Sequence, residues 1–119
     1  SRIYSSQDIE RWHINEMKSL LSRFSGVKFI FDNVKQKYYP VLRDAITSFR
    51  SKNEGKPLVV IDDTPFIDFD ILDYPVNDIE EIFLLKGSDA AIWGPKASNG
   101  IIVIITQRGK STKIEQKEE

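Results

Sequence analysis

Six aspartates lie between positions 62 and 78, and carboxylates at this density are the first candidates for a metal site. Calcium is the ion to consider, because it prefers carboxylate and carbonyl oxygens. The spacing does not fit the EF-hand loop: counted from Asp68, the glycine position holds Asp73 and the final glutamate position holds Ile79. We therefore interpret these aspartates as turn-forming and capping residues, and we expect neither a metal site nor a cofactor.

Residues suited to catalysis are also scarce. His13 is the only histidine, and we place it beside Trp12 on the apolar face of a predicted helix, where a structural role is expected and a catalytic base would not reach solvent. The chain has no cysteine, which excludes disulfides and thiolate chemistry. Gly109-Lys110-Ser111 resembles the end of a nucleotide-binding loop, but position 104 holds isoleucine where that motif requires glycine. We therefore expect no enzymatic activity.

Size and composition describe one ordinary globular domain. The 119 residues are 40% hydrophobic and 29% charged, and the net charge of −1 favours neither nucleic acid nor an anionic membrane as a partner. No apolar run approaches the roughly 20 residues that a membrane helix requires. We expect residues 1–110 to form one domain that is monomeric in isolation, followed by a polar, disordered tail at 111–119.

The elements that position these residues begin with a long amphipathic helix. Ser5 and Asp8 stand at the spacing of a capping box, which marks a helix start. Apolar side chains then recur every three or four residues, and Gly26 follows as a residue that can end a helix in the left-handed conformation. These signals predict a single helix over residues 7–25.

Short apolar runs predict the strands of a sheet. Residues 101–106 are isoleucines and valines up to Thr106 and carry no charge, so both faces of this strand must be covered and we expect it to be central. Further strands are expected at 3–4, 27–31, 46–50, 58–61 and 82–85. The segment 34–45, which contains Tyr38-Tyr39-Pro40, and the acidic segment 66–74 are expected to be irregular.

Tight turns and short helices connect the later strands. Asn77 with Glu80 predicts one capped turn of helix, and Ser88 predicts a second that ends before Gly94. Structural chain reversals are expected at Asp62-Asp63, Gly87, Gly94 and Asn99-Gly100. The predicted fold class is α+β, with a small mixed β-sheet and short helices packed on it.

Taken in order, these segments resemble the plug domain of TonB-dependent outer-membrane receptors. The resemblance covers residues 57–110 and is nearest to the receptors that import glycans and peptides in Bacteroides-like bacteria. In the upstream strand and turn, Asp63 stands where that family has glycine. The segments that carry the resemblance are Pro57–Pro65, Asp78-Ile79-Glu80, Leu85-Lys86-Gly87, Ala90–Gly94 and Asn99–Thr106.

The resemblance implies a role in transport at the cell envelope of a Gram-negative bacterium, in the outer membrane or periplasm. A plug closes the lumen of its own transmembrane β-barrel, and its outer loops meet the ligand. Arg50 and Lys86 match basic positions that, in this family, face acidic residues of the barrel wall, although Ser51 replaces the glycine that usually follows the first of them. The alternative is that both are solvated cations at strand ends.

Ligand contacts, if the chain makes them, are expected from three loops: Ser51–Lys56, Phe66–Tyr74 and Gly94–Asn99. They carry Phe66, Phe69, Tyr74 and Lys96, a mixture of aromatic and polar groups suited to a glycan or a peptide. The alternative is that these aromatic rings pack beneath their own loops.

A second function stays open at this stage. The chain could be a plug-like binding module without a barrel, at the C-terminal end of a larger periplasmic or surface protein whose partner is another envelope protein. The polar segment after Lys110 favours that hypothesis, because a receptor would continue there into amphipathic barrel strands.

Overall fold

The computed structural model describes residues 2–43 and 55–109. Three short α-helices lie wholly within these ranges: α1 (Ser6–Arg11), α2 (Met17–Leu21) and α3 (Ser88–Ala91). Single 3-10 turns lie at Ile71–Asp73, Val76–Asp78 and Pro95–Ala97. The strands are β1 (Ile3–Ser5), β2 (Val27–Asp32), β3 (Lys37–Leu42), β4 (Leu58–Ile61), β5 (Thr64–Phe66), β6 (Ile79–Leu85) and β7 (Ile101–Thr106).

Five of the strands form one mixed sheet in the order β1-β6-β7-β4-β5. The central strand, β7, runs parallel to β4 and antiparallel to β6, with Ile101 opposite both Leu58 and Leu85. The predicted α+β class and the predicted central position of residues 101–106 are confirmed. The strand predicted at 46–50 lies outside the described residues.

Two apolar layers cover the faces of this sheet. Successive residues of a strand point to opposite faces, so Ile102 and Ile104 enter the main core, which α1, α2, Leu42 of β3 and the two 3-10 turns before β6 complete. Ile101 and Val103 point the other way, into a smaller core formed with α3 and the turn that follows it. Ile102 is 0% exposed, whereas Ile105, at the end of the less covered face, is half-buried.

The prediction of one helix over residues 7–25 is wrong, because the chain leaves the helix at His13. The capping box of Ser5 and Asp8 does start α1. His13 has φ of 54°, and its N–H donates to the carbonyl of Glu10 while the N–H of Ile14 donates to that of Ile9. This pair of bonds is the Schellman ending of a helix, with histidine at the position that glycine usually holds. His13 is therefore exposed and not on an apolar face.

The prediction of an irregular excursion over residues 34–45 is also wrong. Residues 37–42 form β3, which pairs antiparallel with β2 as a separate two-stranded ribbon. The Asp32 carboxylate holds the turn between them by accepting the N–H groups of Val34 and Lys35 at 2.9 and 3.2 Å. Within the described residues β3 pairs only with β2, and an edge of this kind can accept a proline such as Pro40.

The remaining turns lie where the sequence predicts them, but some of their conformations differ from the prediction. Asp62 and Asp63 both have positive φ, 48° and 69°, as a two-residue hairpin turn requires. The helix predicted from Asn77 is a 3-10 turn ending at Asp78, and Glu80 is already in β6. The second short helix, α3, is present, although Gly87 and not Ser88 occupies its cap position. Among the described residues, no helix has the length and apolar character to cross a membrane.

Shortening Ile102 to alanine should lower the free energy of unfolding by about 2–5 kcal/mol, the range for an isoleucine buried in a close-packed core. Ile105→Ala is the matched control, since it removes the same atoms from a half-buried site of the same strand, and its cost should be clearly smaller. Chemical denaturation of both variants measures the difference. An Ile102→Ala cost within about 0.5 kcal/mol of zero would mean that this face is open.

Candidate functional site

Three strands of the main sheet meet at one of its ends, where Leu58, Leu85 and Ile101 are in register. We call the surface around them, residues 56–58, 66–67 and 85–101, the loop end. Phe66 reaches it because β5 pairs antiparallel with β4, with Phe66 opposite Val59. Two of the predicted ligand loops, through Phe66 and through Gly94–Asn99, therefore share one end of the sheet with Lys86. Of the third loop, residues 51–54 lie outside the described part of the chain.

Glycines shape the connection between β6 and β7 at this end. Gly87, Gly94 and Gly100 have φ of 56°, 82° and 89°, in the left-handed region that side chains disfavour. A Cβ at Gly87 or Gly94 would meet nothing within 4 Å. The requirement for glycine at these two positions is therefore one of backbone conformation and not of space.

The four candidate ligand residues divide into two groups. Phe69 and Tyr74 pack against the main core. The Tyr74 hydroxyl donates to Asp78, and burial together with this carboxylate raises the pKa of the Tyr74 phenol above its usual value. Phe66, which is 38% exposed, and Lys96 remain at the surface of the loop end.

Lys86 directly follows β6 and is half-buried, so it is not the fully solvated cation that the alternative interpretation describes. It lines an open cavity of about 700 Å³ together with Arg2, Arg23 and Asp89. Arg50, the other candidate barrel-facing cation, lies outside the described residues.

Charged residues of the ribbon and of the acidic segment form an ionic cluster that the sequence did not reveal. Lys56 lies at its centre, with its Nζ 2.7 Å from Asp32 Oδ2 and 2.9 Å from Asp68 Oδ1. Lys35 contacts Asp68 and Asp70 at 3.1 and 3.2 Å. Lys37 completes the cluster by contacting Asp70 and Asp73 at 3.6 and 2.6 Å.

The ionic cluster accounts for three of the six aspartates that first suggested calcium, and the interpretation of Asp68, Asp70 and Asp73 as turn-forming or capping residues is wrong because each of them pairs with a lysine. Four of its seven members are carboxylates, and each of them lies against a lysine. The described part of the chain contains no group of three or more acidic, histidine or cysteine side chains arranged to hold a metal ion. The cluster instead joins the β2–β3 ribbon to the segment that follows β5, and so fixes the ribbon beside the main sheet.

Hydrogen bonds outweigh burial in setting the charge states at the centre of the cluster. The side chains of Lys56 and Asp32 are only 16% and 10% exposed. The hydrogen bond from Lys56, with the backbone N–H groups of Lys35 and Val34, lowers the pKa of Asp32 to about 2. Burial alone would lower the pKa of Lys56, but its hydrogen bonds to Asp32 and Asp68 outweigh that effect and raise it. Both groups are therefore held in their charged forms.

Replacing Asp32 with asparagine should remove one source of acid sensitivity. Asp32 has a lower pKa folded than unfolded, so its ionised form stabilises the fold above about pH 4, and this contribution is lost as the pH falls from about 4 to about 2. We expect the stability difference between wild type and Asp32→Asn to be constant at neutral pH and to shrink across that window. Urea denaturation at a series of pH values measures it.

Asp63→Asn is the control for that series, because it removes an exposed turn carboxylate for which the structure shows no ion pair among the described residues. A stability difference for Asp32→Asn that follows the same pH course as the control would contradict a special role for Asp32.

Comparison with known proteins identifies the fold. A family model described as the TonB-dependent receptor plug domain matches residues 1–101. The siderophore receptor PirA from Acinetobacter baumannii is similar in structure over 89% of this chain and 17% of its own, with a TM-score of 0.67 and 21% identity. A mutant of the ferric enterobactin receptor PfeA from Pseudomonas aeruginosa, in complex with enterobactin, gives a TM-score of 0.66 and 20% identity over 88% of this chain and 17% of its own.

PirA from Pseudomonas aeruginosa is a third similar structure, with a TM-score of 0.55 and 23% identity over 90% of this chain and 18% of its own. The chain thus spans only 17% or 18% of the length of these receptors. Plug domains of this kind are found in the outer membrane of Gram-negative bacteria and do not form an enzyme class. Since the family model matches residues 1–101, the chain belongs to the family of TonB-dependent receptor plug domains.

Proposed function

We propose that this chain closes the lumen of an outer-membrane nutrient receptor, inside that receptor's own β-barrel. The observation that carries the proposal is the family match over residues 1–101. The five-stranded sheet supports it, because a rigid sheet covered on both faces can hold loops at a fixed place in a lumen. Lys86, and Arg50 beyond the described residues, are the cations that we propose to face the barrel wall.

The loop end is the part that we propose to meet the ligand. Phe66 and Lys96 are exposed there, and Ile92 on the same connection is 87% exposed. An apolar ring and cationic groups at the same end of the sheet suit an organic ligand with both apolar and polar parts, such as a glycan or a peptide. The similar solved structures are siderophore receptors, so a ferric siderophore belongs among the ligands to be tested.

The full-length protein that carries this chain should fractionate with the outer membrane. We expect a heat-modifiable band, because a folded transmembrane barrel resists unfolding in detergent until it is heated. Expression in a Gram-negative host, separation of the envelope and electrophoresis with and without heating measure this. A soluble periplasmic product would reject the receptor and leave a binding module without a barrel.

The same preparation tests the barrel-facing cation with a matched control. Lys86→Gln should make the plug easier to cleave by added protease within the assembled receptor, because a charge pair removed from bulk water is worth more than an exposed one. Lys28→Gln removes an exposed lysine of β2 and should leave cleavage unchanged. If both variants and the wild type are cleaved equally, Lys86 does not make the proposed contact with the barrel wall.

A further inference from the structure

The end of β7 opposite the loop end carries a buried polar side chain. Thr106 is the last residue of this strand and is only 1% exposed. A hydroxyl buried to this extent needs a hydrogen-bond partner, because an unsatisfied polar group in the interior destabilises the fold. The partners of Thr106 therefore show what holds the chain at the point where it leaves the central strand.

Asp62 supplies the first partner, a carboxylate that reaches across from the neighbouring strand. It directly follows β4, and its N–H donates to the carbonyl of Ile104 at 3.0 Å, which continues the parallel pairing with β7. One carboxylate oxygen, Oδ1, accepts the N–H of Thr106 at 2.9 Å, and the other, Oδ2, accepts the Thr106 hydroxyl. Hydrogen bonds to a carboxylate are roughly twice as strong as those between neutral groups.

The second partner of Thr106 lies further along the chain. Residues 107–109 are helical, and the N–H of Gly109 donates to the Thr106 hydroxyl oxygen at 3.0 Å. A threonine whose hydroxyl accepts the N–H three residues later is the N-cap of a helix. Thr106 therefore ends the central strand and begins a helical turn with the same side chain.

Asp62 determines which way this hydroxyl points. A hydroxyl has one hydrogen and two lone pairs, and it can rotate about its C–O bond. Donation to Oδ2 of Asp62 fixes the hydrogen, and a lone pair is then available to the N–H of Gly109. The carboxylate thus acts on the helical turn through Thr106.

Gly109 leaves the space that this carboxylate occupies. A Cβ at position 109 would lie 2.6 Å from Cγ of Asp62 and closer still to Oδ1, which is nearer than side-chain atoms approach one another. The conflict differs from that at Gly87 and Gly94, where a Cβ would meet nothing within 4 Å. Because Thr106 holds the carboxylate, Asp62 cannot move aside without losing those hydrogen bonds.

We propose that Asp62, Thr106 and Gly109 form a clasp that fixes the direction in which the chain leaves the central strand. Asp62 is its positioning residue, Thr106 joins the strand to the helical turn, and Gly109 gives the carboxylate its space. The clasp lies at the end of the sheet opposite the loop end, so it is separate from the surface proposed to meet the ligand. The inference goes beyond the proposed function, because the clasp needs neither a barrel nor a ligand.

Backbone amide relaxation of the 119-residue chain, measured by NMR, tests the clasp. In the wild type the Gly109 amide should be as ordered as the sheet, with an order parameter of about 0.85. Asp62→Gly removes both acceptor oxygens and keeps the turn, because glycine suits the φ of 48° at this position. In this variant we expect the order parameter of Gly109 to fall below about 0.6 and its amide to exchange about tenfold faster, through loss of the cap.

Two further variants show whether the effect comes from the carboxylate. Asp62→Asn keeps one acceptor oxygen and tolerates positive φ, so it should give an intermediate order parameter at Gly109. Asp62→Asn also carries the test if Asp62→Gly does not fold, as shown by thermal unfolding. Asp63→Gly is the matched control, because it makes the same change at the next residue of the same turn, where φ is 69°. The control should leave Gly109 unchanged.

Gly109→Ala tests the contact from the other side. The added methyl group must displace the carboxylate, so the N–H of Thr106 should exchange faster, as it should in Asp62→Gly. When Asp62 is already glycine, the alanine has nothing to displace and should not speed this exchange further. Non-additivity of this kind marks two residues that are in contact.

Three results would overturn the proposal. A Gly109 amide that is mobile in the wild type, or equally ordered in a folded Asp62→Gly variant, would mean that the carboxylate does not hold the turn. An equal loss of order in Asp63→Gly would assign the effect to flexibility of the β4–β5 turn. Additive effects of Asp62→Gly and Gly109→Ala would mean that the two residues do not meet. The fractionation experiment depends on none of these results, so the two proposals can fail separately.

Discussion

Burial of β7 on both faces is the constraint on which the rest of the domain depends. Its isoleucines cannot stand in water on either side, so the chain must supply a layer for each face and a partner strand for each edge. β4 and β6 pair with the two edges of β7. α1, α2 and the two 3-10 turns before β6 cover one face, and α3 with the glycine-rich connection covers the other. The position of the loop end follows from this arrangement. The connection that covers the second face leaves the sheet after β6 and returns to it at β7, and both points lie at the loop end.

The β2–β3 ribbon is attached to this centre in a different way. Neither of its strands pairs with the main sheet, and the ionic cluster around Lys56 forms part of its attachment. Exposed ion pairs contribute little to stability, but the pair of Lys56 and Asp32 is largely removed from water. The ribbon is therefore joined to the domain in two ways: by apolar burial, since Leu42 is 0% exposed in the main core, and by an ionic contact that responds to pH and salt.

The features predicted correctly from the sequence are those with a strong local signal. Residues 101–106 have no polar face, the capping box needs only Ser5 and Asp8, and the turn at Asp62-Asp63 follows from residues that tolerate positive φ. The break at His13 was missed because a helix ending of this type usually shows glycine, and the apolar spacing continues across the break into α2. The strand β3 was missed because Pro40 argues against a regular strand. Only its pairing with β2 alone, within the described residues, shows a strand that can accept proline.

The candidate site was predictable only in part, because it depends on contacts distant in sequence. Register brings Phe66 and Lys86 to one end, as the order of the strands requires. The sequence does not show that Lys35, Lys37 and Lys56 neutralise the aspartates, since these pairs are 12 to 36 residues apart. The sequence also does not show that Arg2 and Arg23 line the same open cavity as Lys86, because the pairing of β1 with β6 is needed to bring Arg2 to Lys86.

Native-state hydrogen exchange of the 119-residue chain can show whether β7 is the most stable part of the domain. If β7 and its two neighbours form the cooperative centre, their amides should exchange only through global unfolding, at the free energy found by denaturation. The amides of β2 and β3 should exchange through a smaller opening, whose free energy falls when the pH is lowered from about 4 towards the pKa of Asp32 at about 2. Amides of β7 that exchange more easily than those of the ribbon would contradict the account.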